Sequence, residues 1–235
     1  MKAMILAAGR GTRLGSLTEK LPKPMFLLDN KPLLEYNIVH LVSCGFDEIV
    51  VNIHYLAGII EDFVGDGSQF GASVTCVRQE KPLGTAGAVK NVEDFFDDEP
   101  FLVLYGDLLT NQDFSELLAL HREKEATATI ALHQRANSNS LVQLETDGRV
   151  SGFIERPSEE QRAANPFPWV NSGIQVLEKE ALAGLQKGEP ADLPRDVYPE
   201  LVEAGSLYAL PLLGDRVAID SPERYEQAKA LVKNW

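Results

Sequence analysis

The sequence is poor in the residues from which disulfide-stapled, zinc-dependent and serine-nucleophile proteins are built. Its 235 residues hold two cysteines, Cys44 and Cys76, on unrelated segments and without metal-ligand spacing. That excludes a disulfide framework, reads as two buried thiols and fits a reducing, cytoplasmic setting. Four histidines, His40, His54, His121 and His133, are scattered without a His-Glu-x-x-His pattern and read as structural or surface residues. No serine stands in a Gly-x-Ser-x-Gly elbow, so a serine nucleophile has no support. Basic residues are also scarce: 22 Lys and Arg against 35 Asp and Glu give a formal net charge of -13. Such a surface repels a phosphate backbone and excludes broad nucleic-acid binding driven by counterion release. Long apolar runs are missing too. The run from Met4 to Ala8 passes straight into Gly/Arg-rich sequence, too short for a secretory core or a membrane span, so no membrane partner is expected.

What is present is a globular composition, 44% hydrophobic and 24% charged, in a length that suits one α/β domain with a substantial core. Apolar runs predict strands at Ala3–Leu6, Glu48–Ile53, Val74–Val77, Phe101–Tyr105 and Thr127–Leu132. Between them, helical patterns cover Leu33–Val42, Ile59–Val64, Thr85–Phe95 and Phe114–Lys124. The βαβαβαβ order predicts a doubly wound, Rossmann-like layer: a mixed, mainly parallel sheet with helices on both faces. Further on, Val142–Glu145 and Arg149–Ile154 flank Thr146-Asp147-Gly148, an Asp-Gly hairpin signal, so a small antiparallel insertion is expected. Pro157–Pro168 reads as a mobile surface loop. Trp169–Leu177 reads as a strand, Leu193–Glu203 as a helix, Leu207–Leu212 as a strand, and Ser221–Val232 as a helix capped by Ser221. No repeat or linker is visible. The expected organisation is a single domain, 1–235, in two halves, 1–135 and 136–235.

The strongest chemical signal is Leu6-Ala7-Ala8-Gly9-Arg10-Gly11-Thr12-Arg13-Leu14, followed by Pro22-Lys23-Pro24. Gly9 and Gly11 let the backbone turn tightly and bring N–H groups close to phosphate oxygens, while Arg10, Arg13 and Lys23 can neutralise a triphosphate. The glycines alone are equally compatible with a plain strand-to-loop turn; the flanking charges favour the phosphate reading. The pattern is neither Walker nor Rossmann, which disfavours ordinary kinases and dehydrogenases. Asp107, in Tyr105-Gly106-Asp107, follows the apolar run Phe101–Leu104. A carboxylate at the C-terminal end of a parallel strand is placed to bind Mg²⁺ together with substrate phosphates, the alternative being a turn aspartate.

With these motifs the chain resembles the sugar-1-phosphate nucleotidyltransferases, whose signature is close to Leu-Ala-x-Gly-x-Gly-Thr-Arg-Leu with a downstream Pro-Lys-Pro, and its motifs lie closest to mannose- and heptose-type guanylyltransferases. The resemblance continues in order through Pro82-Leu83-Gly84-Thr85-Ala86-Gly87, Gly106-Asp107, Glu155-Arg156-Pro157, Val170-Asn171-Ser172-Gly173 and Asp192-Leu193-Pro194-Arg195-Asp196-Val197. It implies the nucleotide-diphospho-sugar transferase fold, Mg²⁺ as cofactor, and a nucleoside triphosphate and a sugar 1-phosphate as substrates, GTP being the favoured nucleotide.

By the same resemblance Arg13, Lys23 and Asp107 act in catalysis. Leu6, Ala8, Gly9, Arg10, Gly11, Thr12, Arg13, Lys23, Gln79, Pro82, Gly84, Thr85 and Gly106 bind nucleotide, with Gln79 and the Gly84 backbone at the base. Tyr105, Glu155, Arg156, Asn171 and Gly173 bind the sugar phosphate. Arg156 replaces the family's lysine and keeps the charge in a planar, bidentate form. Where many members carry Asp-x-Gly-Thr-Pro-Glu, this chain has Ala218-Ile219-Asp220-Ser221-Pro222-Glu223. Ala218 stands at the usual aspartate, whereas related enzymes use an aspartate directly before Thr-Pro-Glu, so Asp220 is either a second metal ligand or a helix cap. Two rival readings stay open: the same chemistry on a non-sugar phosphate or phosphonate, and an inactive, nucleotide-sugar-binding regulatory subunit, which Ala218 favours. No C-terminal β-helix module is expected after Ser221–Trp235, and the chain is expected to be a monomer or a core-domain homodimer.

Overall fold

The computed structural model describes residues 1–136, 139–165 and 168–235. The chain divides into two compact units, one comprising Met1–Pro82, Leu104–Asp113 and Gly214–Trp235, the other Leu83–Val103 and Phe114–Leu213.

The first unit begins with β1 (Lys2–Leu6) and a small antiparallel hairpin, β2 (Leu27–Leu28) with β3 (Lys31–Pro32). The hairpin turns at Asp29-Asn30, both at positive φ (45° and 68°), a conformation these short polar residues tolerate. Helix α1 (Leu33–Ser43) buries Leu33, Leu34, Ile38 and Leu41, the 3.6-residue stripe read from the sequence. There follow β4 (Glu48–Ile53), α2 (Ala57–Val64) and β5 (Ser73–Arg78). β1 pairs with β4, and β4 with β5, both parallel, with Leu6 opposite Asn52 and Val51 opposite Cys76. Every residue of β4 after Glu48 is buried, as a parallel strand covered on both faces requires.

The second unit opens with α3 (Gly84–Asn91), and β6 (Phe101–Tyr105) leads the chain back into the first unit, where β7 (Leu108–Thr110) follows. The rest of the second unit is α4 (Ser115–Glu123), β8 (Ala128–Gln134), β9 (Ser140–Leu144), β10 (Val150–Glu155), α5 (Glu159–Ala164), β11 (Trp169–Leu177), α6 (Tyr198–Glu203) and β12 (Leu207–Pro211). β9 and β10 form the expected antiparallel hairpin, closed where the Glu145 N–H donates to Arg149 O and Gly148 takes φ +86°. β11 runs antiparallel to β8 and β12 parallel to it, so the regular βαβ alternation does not continue past β8. The chain then returns to the first unit with β13 (Arg216–Ala218), antiparallel to β7, and α7 (Pro222–Leu231). The class is α/β, with a mixed, mainly parallel sheet, helices and small antiparallel sheets.

Two expectations are corrected. Pro157–Pro168 is not simply a loop, because it contains α5; positions 166 and 167 lie outside the described residues. α5 has no buried residue and so no apolar period to read; a capping box makes it, with Ser158 Oγ accepting the Gln161 N–H and Gln161 Oε1 accepting the Ser158 N–H. The single helix expected at Leu193–Glu203 is a π-turn, Leu193–Val197, followed by α6.

Candidate functional site

In the first unit the loop after β1 is anchored by its parallel neighbour. The Ala7 N–H is shared between Asn52 Oδ1 at 2.9 Å and Asn52 O at 3.2 Å, and Asn52 is 2% exposed. The loop ends at Gly11, whose φ of +68° and tight fit, a Cβ there lying 3.1 Å from Lys23 Cε, call for glycine. Gly11 O accepts the Leu14 N–H, and Leu14 packs with Phe26, Leu109, Val217 and Ile219. Burying each such aliphatic side chain contributes roughly 1.5–3 kcal/mol, enough to hold an otherwise exposed loop. Leu6, Ala8, Gly9, Arg10, Gly11 and Arg13 are thus presented in one segment; the Thr12 side chain lies outside the described residues.

Arg10 lies over the Tyr55 ring at 5.1 Å. Ala8, Gly9, Arg10, His54, Tyr55 and Pro82 line a recess of about 380 Å³. His54, read from the sequence as structural or surface, lines this recess, with its Nδ1 donating to Gln79 O at 2.8 Å. Gln79 itself is 6% exposed, and neither its Nε2 nor its Oε1 has a partner among the described residues. A buried amide in that state costs about 1–3 kcal/mol per unsatisfied group, which a ligand edge carrying both a donor and an acceptor would recover.

Gly106 brings the chain hard against β1. Its N–H donates to Leu6 O at 2.9 Å, and a Cβ would lie 2.7 Å from that oxygen. The next residue, Asp107, receives the Lys23 ammonium at 2.9 Å from Oδ2, with Lys23 only 8% exposed. The Ile219 N–H donates to Asp107 O at 2.8 Å, so Asp107 and Asp220 stand on bonded neighbouring strand ends. Asp220 Oδ2 lies 3.5 Å from Arg13 Nη1, and Oδ1 lies 3.7 Å from Arg224 Nη1. The cap of α7 is Ser221, whose Oγ accepts the Arg224 N–H, so Asp220 is not the helix cap. Two oxygen-only carboxylates, each paired with a cation, fit a hard divalent ion that takes its remaining ligands from phosphate and water. Among the described residues no group of three His, Cys, Asp or Glu could cage a metal without substrate. Arg224 was missed from the sequence; its one signal is its position four residues after Asp220 in the first turn of a helix.

In the second unit Gly84 takes φ +71°, and a Cβ there would collide with Ala191 O. The Thr85 N–H donates to Asp192 Oδ1 at 3.0 Å. Glu155 ends β10 opposite Ser140 of β9, and Ser140 Oγ accepts the Asn171 N–H at 3.3 Å, so one buried serine joins both sugar-side candidates. Burial pushes the Glu155 carboxyl above its ordinary range against the pull of Arg156. Arg156 has φ +55°, a strained conformation for a residue with a Cβ, and its N–H donates to Asn139 O at 2.6 Å. Asn171 Oδ1 accepts the Gly173 N–H at 3.0 Å in an irregular stretch of β11, with Gly173 at φ +82°. Tyr105 and Gly106 belong to the first unit, Gly84, Thr85, Glu155, Arg156, Asn171 and Gly173 to the second.

Comparison with known proteins identifies the family. The model of the family described as nucleotidyl transferase matches residues 2–214. UTP–glucose-1-phosphate uridylyltransferase of Synechocystis sp. is 36% identical over 244 residues, covering 97% of this chain and 62% of the relative. Mannose-1-phosphate guanylyltransferase 1 of Arabidopsis thaliana is 32% identical over 232 residues, covering 96% of this chain and 63% of the relative. The chain therefore spans somewhat under two thirds of the length of these relatives. The crystal structure of HddC from Yersinia pseudotuberculosis superposes with a TM-score of 0.82 at 24% identity, covering 98% and 99% of the two chains, a likeness of fold. With nearly its whole length matched, this chain belongs to the nucleotidyl transferase family.

Proposed function

We propose that the chain transfers a nucleoside monophosphate from a nucleoside triphosphate to a sugar 1-phosphate, forming a nucleoside diphosphate sugar and releasing pyrophosphate. The observation that carries this reading is the paired set Lys23–Asp107 and Arg13–Asp220 beside the glycine loop: two cations and two carboxylates where a polyanion and a divalent ion must meet. An oxygen of the sugar phosphate attacks the α-phosphorus, the bond to the α–β bridging oxygen breaks, and pyrophosphate departs with its electron pair. The attacking monoester is already anionic, so no protein nucleophile is needed and the residues position and neutralise two polyanions. Arg13 and Lys23 neutralise the triphosphate, Gln79 offers its amide to the base edge, and the Gly84 backbone approaches the base. Arg156 grips the acceptor phosphate while Glu155 and Asn171 bind sugar hydroxyls. Asp107 and Asp220 would hold Mg²⁺, which when bound spreads the charge developing on phosphate oxygens.

GTP is the nucleotide of this reading, from the Leu-Gly-Thr-Ala-Gly run at 83–87. The Gln79 amide suits the N1–H and O6 of guanine, and also the N3–H and O4 of uracil or thymine. The relatives named above are a uridylyl- and a guanylyltransferase. Pyrophosphate release with Mg²⁺ across five nucleoside triphosphates and a panel of sugar 1-phosphates decides the matter, with Asp107→Ala and Asp220→Ala as controls. Release that depends on one sugar phosphate and is lost in Asp107→Ala is the expected result. Silence across the panel with nucleotide still bound would favour the non-sugar or regulatory reading, to which Ala218 points.

A further inference from the structure

The segment Asp192-Leu193-Pro194-Arg195-Asp196-Val197 has no role in the reaction as drawn, yet the second unit uses it as a clamp. Helix α3 starts at Gly84 without a side-chain cap from its own N-cap residue Leu83. Its first free N–H groups are met from 107 residues away: the Thr85 N–H donates to Asp192 Oδ1 at 3.0 Å, and the Thr85 hydroxyl approaches the same oxygen at 3.4 Å. A carboxylate at a helix N-terminus satisfies orphan donors and opposes the helix dipole. The exchange is reciprocal, because the Leu193 N–H donates to Thr85 Oγ1 at 2.8 Å, the Ala191 N–H to Leu83 O at 3.0 Å, and the Gly87 N–H to Ala191 O at 3.0 Å. The approach is so close that a Cβ on Gly84 would meet Ala191 O, and one on Gly87 would meet Glu189 O.

Asp192 is itself held from its other side. Its carboxylate is ion-paired with Arg195, and its N–H donates to Asp196 Oδ2 at 2.6 Å. The π-turn Leu193–Val197 sets Arg195 and Asp196 where both can reach back to Asp192, since Asp192 O accepts the N–H groups of Arg195 and Asp196. Asp192 and Arg195 are also among the charges that act on Glu155 after its burial and Arg156. One carboxylate therefore touches the turn assigned to the nucleobase and lies in the electrostatic surroundings of the carboxylate assigned to the sugar.

We propose that Asp192 is the positioning residue for nucleotide binding: it holds the Leu83–Thr85 turn, with Gly84 left-handed, in its ligand-ready shape. The inference rests on the reading that this turn faces the nucleotide. Two consequences separate it from a merely structural role. The aspartate acts through one acceptor oxygen, so asparagine preserves the Thr85 cap and alanine removes it. Its carboxylate also fills the N-terminus of α3, so that the glycine-rich start of this helix presents a backbone edge to a base rather than a cradle to phosphate.

The test uses the full chain and three variants, Asp192→Ala, Asp192→Asn and Thr85→Val, with fluorescent GTP and UTP analogues as binding probes and hydrogen exchange of the peptide spanning 83–91. Asp192→Ala is expected to weaken nucleotide binding roughly tenfold or more, equivalent to about 1.4 kcal/mol. It should raise the nucleotide KM more than it lowers kcat, and it should speed exchange at 83–91. Asp192→Asn should stay within about threefold of the parent chain for binding, the rescue expected of a single acceptor. Thr85→Val keeps the backbone cap and loses the hydroxyl's bonds to Leu193 and to Asp192 Oδ1, and is expected to fall between them; it carries the test if the alanine chain does not fold. Nucleotide binding in which neither Asp192→Ala nor Thr85→Val differs from the parent overturns the clamp while leaving the functional reading intact. Failure of the parent chain to bind any nucleotide, with exchange at 83–91 still accelerated in Asp192→Ala, overturns the nucleotide reading and with it the role proposed here for Asp192.

Discussion

Lys23 Nζ lies 2.9 Å from Asp107 Oδ2, a contact across 84 positions of sequence that leaves Lys23 only 8% exposed. A buried ammonium facing a carboxylate at a strand end is poised to exchange that partner for a phosphate oxygen, since one charge can be traded for another without exposing either. Lys23→Met is therefore expected to lower kcat/KM by ~10²-fold or more, the loss typical of removing one charge-stabilising donor. Steady-state pyrophosphate release checks it, and activity within a few-fold of the parent would remove Lys23 from the catalytic set.

Gly106 is the residue that brings Asp107 against β1. With a Cβ at 106 lying 2.7 Å from Leu6 O, Gly106→Ala must move one strand end or break the Gly106–Leu6 hydrogen bond. A loss of about 1–3 kcal/mol in urea unfolding is expected, the usual cost of overpacking a buried site. Activity should fall further than stability does, because the displacement lands on Asp107. A variant as stable and as active as the parent would contradict the geometry.

Asp220 shares its carboxylate between Arg13 at 3.5 Å and Arg224 at 3.7 Å. If it is the second metal ligand, Asp220→Ala raises the Mg²⁺ concentration for half-maximal activity at least tenfold, and Arg224→Met, which frees the carboxylate to turn, raises it less. Titration of Mn²⁺ followed by paramagnetic relaxation in the presence of nucleotide reads the same affinity without turnover. Identical metal dependence in parent and Asp220→Ala would leave Asp107 as the lone protein carboxylate.

His121 is 1% exposed, with Nδ1 2.9 Å from Thr129 Oγ1 and Nε2 3.2 Å from Glu178 Oε1. Burial, with Arg122 adding to it, pushes its pKa from 6.5 down to about 4. The ring is therefore neutral at pH 7 and donates Nε2–H to Glu178, rather than forming an ion pair. Because the folded value lies below the unfolded one, the unfolded chain takes up the proton first. Stability is fully present above pH 6.5 and is lost as pH falls toward 4, with a slope approaching about 1.4 kcal/mol per pH unit. Urea unfolding at pH 7, 6 and 5 should show this decline for the parent chain and a flatter profile for His121→Gln; equal profiles would rule it out.

Much of this protein was legible in its sequence because the relevant physics is local. The apolar runs within Ala3–Leu6 and Glu48–Ile53 name buried parallel strands, since a strand covered on both faces is apolar at most of its positions. Ser221 before Pro222 marks the start of α7, and Gly9 and Gly11 mark a tight turn after β1, since capping and tight turning are decided within a few residues. Glu155, Arg156 and Asn171 could be named by motif, but not the buried Ser140 that joins Glu155 to Asn171, because it lies on a third strand. Helix α5 escaped because its signal is a cap and not a period.

Only the tertiary structure decided which partners the named residues take. Nothing near Lys23 in sequence points to Asp107, and nothing near Thr85 points to Asp192, because both pairs are set by where β-strands and helix ends arrive after long stretches of intervening chain. The same holds for Asn52 gripping Ala7, for Arg224 holding Asp220, and for the Gln79 amide left buried without a partner among the described residues. A side chain's type and local turn are properties of neighbouring residues, so the sequence by itself determined the elements and the chemical vocabulary of the site. Distances of 3 Å between distant residues arise from packing the whole core, so the pairing of its charges, and the burial of the Gln79 amide, were decided by the fold.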